Sequence, residues 1–299
     1  TPSKAAGTRL TAVAGTGATL PVTFNPTLGS LALTAQTGVI QLFSTNLTSS
    51  TSLSFTGPVL VGPGTTVTAS FGTAFFSSSI DAVIGGGSLT VNCFGSPITI
   101  GASVGATQQL SSLNLNSVSS NIGGSYVYAS GAVSIIGTLS LPTVFNAVVG
   151  SFYVGGIVQG IGNNLSIALS VTTTGGTITL SGVLGVNEFA SIDLNAGTGV
   201  IFLGGTIDSS GAQTYTGIVK LLNDTTITAN GNVTFAGTVD SADNQQSLDV
   251  GASASIIFDA VIGANIPLST LAATIFSRGG PNIFIGGNIT TAGNQIYNG

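Results

Sequence analysis

The stretch SIDLNAGTGVIFLGGTIDSSGAQTYTGIVKLLNDTTITA, residues 191–229, decides how the rest of the chain is read, because its pieces return elsewhere in the same order. Residues 30–42 (SLALTAQTGVIQL) align without gaps on 191–203 at an offset of 161, with eight of thirteen residues identical. Residues 56–69 (TGPVLVGPGTTVTA) align on 216–229 at an offset of 160, so one residue was gained or lost between the two halves. A nearer copy follows. Residues 204–217 (GGTIDSSGAQTYTG) recur as 286–299 (GGNITTAGNQIYNG), an offset of 82 with seven identities in fourteen. Such self-similarity marks a degenerate repeat array, whose units are stacked supersecondary pieces.

Between the copies the pattern has period two. VTF, LALTA, GVIQL, LTSSTSLSF, PVLV and TTVTASF are short, rich in β-branched residues, alternate apolar residues with Ser or Thr, and are punctuated by Gly, Pro or Asn. The same grammar continues through SLTVN, PITIG, LSSLNLNSV, SYVYA, AVSIIGTLSL, LSIALSVTTT and TITLSGVLGV. No run of ten or more residues sustains a helical apolar period. Gly, Thr, Val, Ile, Ser and Asn also disfavour helix through backbone entropy or restricted χ1. The expectation is an all-β protein.

The order of the copies selects among β architectures. A sandwich has no reason to reproduce about forty residues in one internal order, whereas a parallel β-helix stacks like upon like, coils about 4.8 Å apart. Offsets of 82 and 161 are near a one-to-two ratio, as expected for a unit of about 80 residues holding four coils of roughly 20. The predicted organisation is a leader segment at 1–20, carrying Lys4 and Arg9, followed by one continuous right-handed β-solenoid over 21–299. Its repeat units lie near 30–70, 190–229 and 204–299. Aliphatic residues fill the interior, Thr, Ser and Asn face solvent, and Gly turns the corners.

Composition restricts function. Only 4% of the 299 residues are charged, with 43% hydrophobic, 44 Gly, one Cys and no His, Met or Trp. No charged residue lies between Arg9 and Asp81 or between Asp81 and Glu188, while eight of the nine acids fall from Glu188 to Asp259. Four basic residues and a formal net charge of −5 provide no footprint for nucleic acid. Every apolar run is interrupted well short of the roughly 20 residues that a transmembrane helix needs. The opening TPSKAAGTRLTAVAG lacks a charged region followed by an apolar one, so any signal peptide has been removed or the sequence is an excised piece.

Without His there is no Ser-His-Asp triad or histidine metal site, and the lone Cys93 reads as a small buried apolar residue rather than a reactive thiol. Paired carboxylates remain. Asp240, Asp243 and Asp249 in TVDSADNQQSLD are the candidates, since polysaccharide-cleaving β-helices work with acids on one face. The alternatives are a weak calcium site, whose spacing matches neither an EF-hand nor a nonapeptide calcium repeat, and the favoured reading, a solvated loop with Asx turns. No catalytic, cofactor-binding or metal residue is assigned, and no enzyme is expected. A second landmark, apolar-Asp/Asn-Ala-Val-aliphatic-Gly, recurs at 80–85, 145–150 and 258–263, where Asp81, Asn146 and Asp259 read as turn residues bonding their own backbone. Tyr126, Tyr128, Tyr153, Tyr215 and Tyr297 are either a sugar-stacking platform or, as the equivalence of Tyr215 and Tyr297 favours, a repeated structural stack. The sequons at Asn46, Asn164, Asn223, Asn232 and Asn288 matter only in a glycosylating host.

The phrases GAQTYTG (211–217), DTTIT (224–228) followed by NVTFAGTV (232–239), and SIDLNAGTG (191–199) resemble the repeat regions of large bacterial surface proteins of the filamentous-haemagglutinin and autotransporter-adhesin type. The resemblance is clearest over about 190–299, recognisable over 30–70 and weak over 86–187. It implies an exported, extended right-handed β-helix serving attachment, biofilm cohesion or fibre formation, located extracellularly or at the cell surface. Two versions follow: a segment of a larger adhesin that meets a host or cell-surface receptor or glycan, and a subunit that self-associates end to end. Neither end shows the charged or proline-rich cap that protects an open β edge. The copy at 286–299 stops in mid-repeat, so further sequence or the next subunit is expected to complete the last coil. The rivals are an outer-membrane β-barrel, disfavoured by 7% aromatics without Trp, and a polysaccharide-degrading β-helix enzyme resting on Asp240 to Asp249.

A fold held by ladders and aliphatic stacks rather than ion pairs is indifferent to screening. Its melting temperature should move little between low salt and about 1 M NaCl, where the Debye length falls to about 3 Å; a strong shift in a salt series of thermal melts would contradict this.

Overall fold

A computed structural model describes residues 9–16, 29–43, 46–142, 144–161, 167–182, 184–277 and 282–299, the side chains of 9–16 and 185–188 excepted. The expected strand at 22–24 and parts of the leader, 1–8 and 17–20, lie outside these residues. Among the described residues there is no helix, and parallel strands stack in a β-solenoid of about 11 turns. The chain divides into two compact units, Thr1–Pro142 and Thr143–Gly299.

In the first unit three ladders rise side by side. One carries Arg9–Thr16, Ser30–Thr37, Leu53–Thr56, Ala74–Phe76 and Ile98–Ile100 in parallel register. The second carries Ile40–Leu42, Val59–Val61 and Ile80–Ala82. The third carries Asn46–Ser49, Thr65–Ala69, Ser88–Cys93 and the first half of Ser112–Ile122. Arg9–Thr16, inside the expected leader, is thus paired with Ser30–Thr37. Alternation decides what is inside: Leu31, Leu33, Leu53, Phe55, Ala74 and Phe76 are buried, and the Phe55 and Phe76 rings stack at 4.7 Å, about one inter-strand step.

The second unit repeats this scheme. Ile192 pairs with Gln213, Gln213 with Val233, Val233 with Ile256 and Ile256 with Ile283. A neighbouring ladder runs Ile201, Val219, Val239, Ile262 and Ile289. The next runs Ile207, Ile227, Val250, Ala273 and Tyr297. Tyr215, Phe235 and Phe258 form an interior stack with ring separations of 4.9 and 5.3 Å.

The long-offset copies keep their order of faces. Leu31 and Ile40 occupy adjacent ladders of the first unit, as Ile192 and Ile201 do in the second. The 82-residue copy does not. Coils vary from 18 residues (Ile201 to Val219) to 27 (Ile256 to Ile283), because loops enlarge the later ones. Three coils above Tyr215 stands Ile285, and Tyr297 lies two faces further, over Ala273. The expectation that Tyr215 and Tyr297 share a stack is therefore corrected. Each copy nevertheless builds the same corner. Ser209 Oγ donates to Gly211 O (2.9 Å), Gln213 Nε2 donates to Ser209 Oγ (2.9 Å), and the Tyr215 hydroxyl donates to Gln213 Oε1 (2.6 Å). Thr291, Gly293, Gln295 and Tyr297 repeat these bonds at 2.8, 3.2 and 3.0 Å. The repeat is a corner, and a corner is portable between faces.

Phe235 lies between two rings and is fully buried. Phe235→Ala should cost about 3–5 kcal/mol in urea unfolding, and Phe235→Leu distinctly less.

Candidate functional site

The acidic candidates do not converge. Asp240 sits in the strand Val239–Ser241 and is fully buried, whereas Asp249, on Leu248–Ala252 of the next face, and Asp243, in the intervening loop, are exposed. Asp243 Oδ1 accepts from Gln245 N (3.3 Å), the Asx geometry read from sequence, and Asn244 takes a positive φ of 69°. A neutral residue holds the loop. The buried Gln246 presents Oε1 to Ser241 Oγ, Ala242 N (3.1 Å) and Asp243 N (3.2 Å). Among the described residues no three His, Cys, Asp or Glu side chains are grouped to hold a metal ion.

Asp240 reaches into the following coil. Its Oδ1 accepts from Asn265 N (3.0 Å) and Ile266 N (3.4 Å), and its Oδ2 from Asn265 Nδ2 (3.0 Å). Asp81 in the first unit does the same with Thr107 N (2.8 Å) and Gln108 N (3.2 Å). Both are followed by a glycine that admits nothing larger. Gly105 and Gly263 have φ of 69° and 67°, and an added Cβ would meet Tyr128 O at 2.1 Å and Thr290 O at 2.2 Å. Two turns 158 residues apart, at Gly105 and Gly263, are thus one device: a carboxylate buried at low dielectric, stabilised by main-chain N–H donors of the next coil. The reading of Asp81 as a turn residue bonding its own backbone is overturned, since its donors lie 26 and 27 residues on. Sequence reasoning passed over this clamp; the signal was the Gly-Ala pair about 25 residues after each aspartate. Of the other two members of that landmark, Asn146 is half-buried on Val144–Val149 and Asp259 is exposed after Ile256–Phe258.

Tyr215 is interior and belongs to no exposed platform. Tyr126 and Tyr128 lie side by side at 5.6 Å, Tyr153 is exposed, and Tyr215 is fully buried, which pushes its phenol well above the usual range. Cys93 is buried inside the third ladder of the first unit, between Ala69 and Ser117, and burial raises its thiol. Of the sequons, Asn46, Asn223, Asn232 and Asn288 are exposed, and Asn164 lies outside the described residues.

The outward side of the third ladder in the first unit is a regular polar surface. Asn46 and Thr48, Thr66 and Thr68, Thr90 and Asn92, and Asn114 and Asn116 stand in two columns across successive coils. Asn92 Nδ2 donates to Thr68 Oγ1 (3.3 Å), Asn116 Nδ2 to Asn92 Oδ1 (2.7 Å) and Asn114 Nδ2 to Thr90 Oγ1 (3.5 Å). At the adjoining corner Phe71, Phe94 and Val118 are 83%, 64% and 55% exposed.

These features define a parallel β-solenoid protein. Compared with known protein families, curated proteins and solved structures, the chain matches none.

Removing an acceptor from a buried clamp leaves donors unpaired, at about 1–3 kcal/mol. Asp240→Ala should destabilise by that order and should raise amide exchange first at 263–267, measured by hydrogen-exchange mass spectrometry, with Asp243→Ala near neutral.

Proposed function

We propose that the chain is an extracellular structural or adhesive β-solenoid, acting as a segment of a larger bacterial surface adhesin or as a subunit that stacks end to end into a surface or biofilm filament. The observation that carries this reading is where the chemistry is spent. Interior positions are aliphatic and aromatic stacks, every buried side-chain N or O among the described residues has a hydrogen-bond partner, and the three acidic candidates lie apart, Asp240 being committed to the backbone of the next coil. Scaffold and surface are what remain. The adhesin-like phrases at 191–239 support the attachment role. They also support an exported location.

The three acidic candidates on which the enzymatic rival rests lie apart, and the barrel rival needs antiparallel neighbours, whereas every described ladder is parallel. Electron microscopy over a concentration series separates the two versions. Filaments that lengthen with concentration identify the stacking subunit, and discrete particles the adhesin segment. Cleavage of an acidic polysaccharide that Asp243→Ala abolishes would overturn the non-enzymatic reading, and failure of the protein to attach to cells or biofilm in either form would overturn the adhesive one.

A further inference from the structure

We propose that the third face of the first unit, with its adjoining corner, binds an uncharged linear polysaccharide laid along the stack of coils. This rests on the adhesive reading above and names its ligand class. Two columns coincide there. Thr68, Asn92 and Asn116 form a ladder of hydroxyl and amide groups, tied side chain to side chain at 3.3 and 2.7 Å. Beside it, Phe94 and Val118 directly follow the paired residues Cys93 and Ser117, and Phe71 lies two residues past Ala69, the partner of Cys93.

Each part has a separate physical consequence. An Asn amide has two donors and two acceptor lone pairs, so even Asn92, which donates to Thr68 and accepts from Asn116, keeps one donor and one acceptor lone pair outside the ladder bonds. A hydroxyl-rich chain, which also both donates and accepts, is the matching partner. Because the ladder already fixes these rotamers, binding orders few additional side chains. Phe71 and Phe94, 83% and 64% exposed, present apolar surface at the same corner of successive coils that solvent does not favour, and aromatic rings supply flat contact area for the C–H faces of sugar rings.

Charge selects the class. No charged residue lies between Arg9 and Asp81 or between Asp81 and Glu188, and Asp81 is buried with its carboxylate bonded to Thr107 and Gln108. An anionic glycan, an acidic peptide or a nucleic acid would find no counter-ion on this face. The coils repeat about every 4.8 Å, so the face is periodic along the stack, as a linear polymer is.

The test is depletion binding of the whole chain to insoluble cellulose and chitin and to soluble β-1,3-glucan, with heparin as the charged control. Retention on at least one neutral polysaccharide is expected, unchanged in about 1 M NaCl, where ion pairing is screened. Phe94→Ala should weaken it about tenfold or more and Asn116→Ala should weaken it measurably, both with wild-type melting temperatures. Ile84→Ala, at a residue 97% exposed, should leave it unchanged. The inference is overturned if no neutral polysaccharide is retained, if heparin is preferred, or if Phe94→Ala leaves retention intact. A protein that attaches to cells or biofilm yet retains none of these polysaccharides sinks this inference alone. If Phe94→Ala instead abolishes self-association in sedimentation, the face belongs to a second copy and the glycan is ruled out.

Discussion

Main-chain hydrogen bonding between successive parallel coils is the constraint on which the rest depends. Each coil supplies the N–H and C=O partners of the next, as in Leu31 N to Ser52 O and Val233 N to Ser255 O, and the step of about 4.8 Å between strands is imposed on every side chain. Rings one coil apart must therefore stack, as Phe55 does on Phe76 and Phe235 on Tyr215. Inward positions become columns of like residues. Outward positions are released from packing, which is why a chain with 4% charged residues can have a saturated interior and leave its outer faces to Thr, Ser and Asn.

Corners absorb what the ladders cannot. The strands must keep register, so length variation goes into the turns, and the coil of Ile256 to Ile283 is nine residues longer than that of Ile201 to Val219. Larger turns need their own anchorage. Asp81 and Asp240 provide it by bonding main-chain N–H groups of the next coil, and Gln246, without charge, by bonding those of Ala242 and Asp243 in its own turn. The Ser/Thr-Gly-Gln-Tyr corner is a third solution, made from bonds within seven residues, 209–215 and 291–297, so it works at whichever corner it is placed. This separates two kinds of repetition in the chain: long-offset copies that preserve face order, and a short copy that preserves only local geometry.

The buried carboxylates of Asp81 and Asp240 serve the fold, while Asp243 and Asp249 lie apart from Asp240, in the following loop and on the next face. What distinguishes the first unit is a polar lattice beside an apolar corner in a region without accessible charge. Lateral hydrogen bonds between Thr68, Asn92 and Asn116 and between Thr90 and Asn114 order those surface side chains into a periodic face.

Period-two alternation, β-branched composition and copies in one internal order determined the all-β, coil-stacked architecture by themselves, since a residue's inward or outward direction in a strand depends only on parity. The burial of Leu31, Leu33 and Phe55 could be read that way, as could that of Cys93 in LTVNC. The Asx turn at Asp243 was equally legible, because its partner lies two residues away. The tertiary structure alone decided which face each copy occupies, that Asp240 is interior while Asp243 and Asp249 are not, and that Tyr297 stands two faces from the Tyr215 stack. Those outcomes depend on coil length, and coil length is set by turns whose hydrogen-bond partners sit about 25 residues away, beyond the reach of any local pattern.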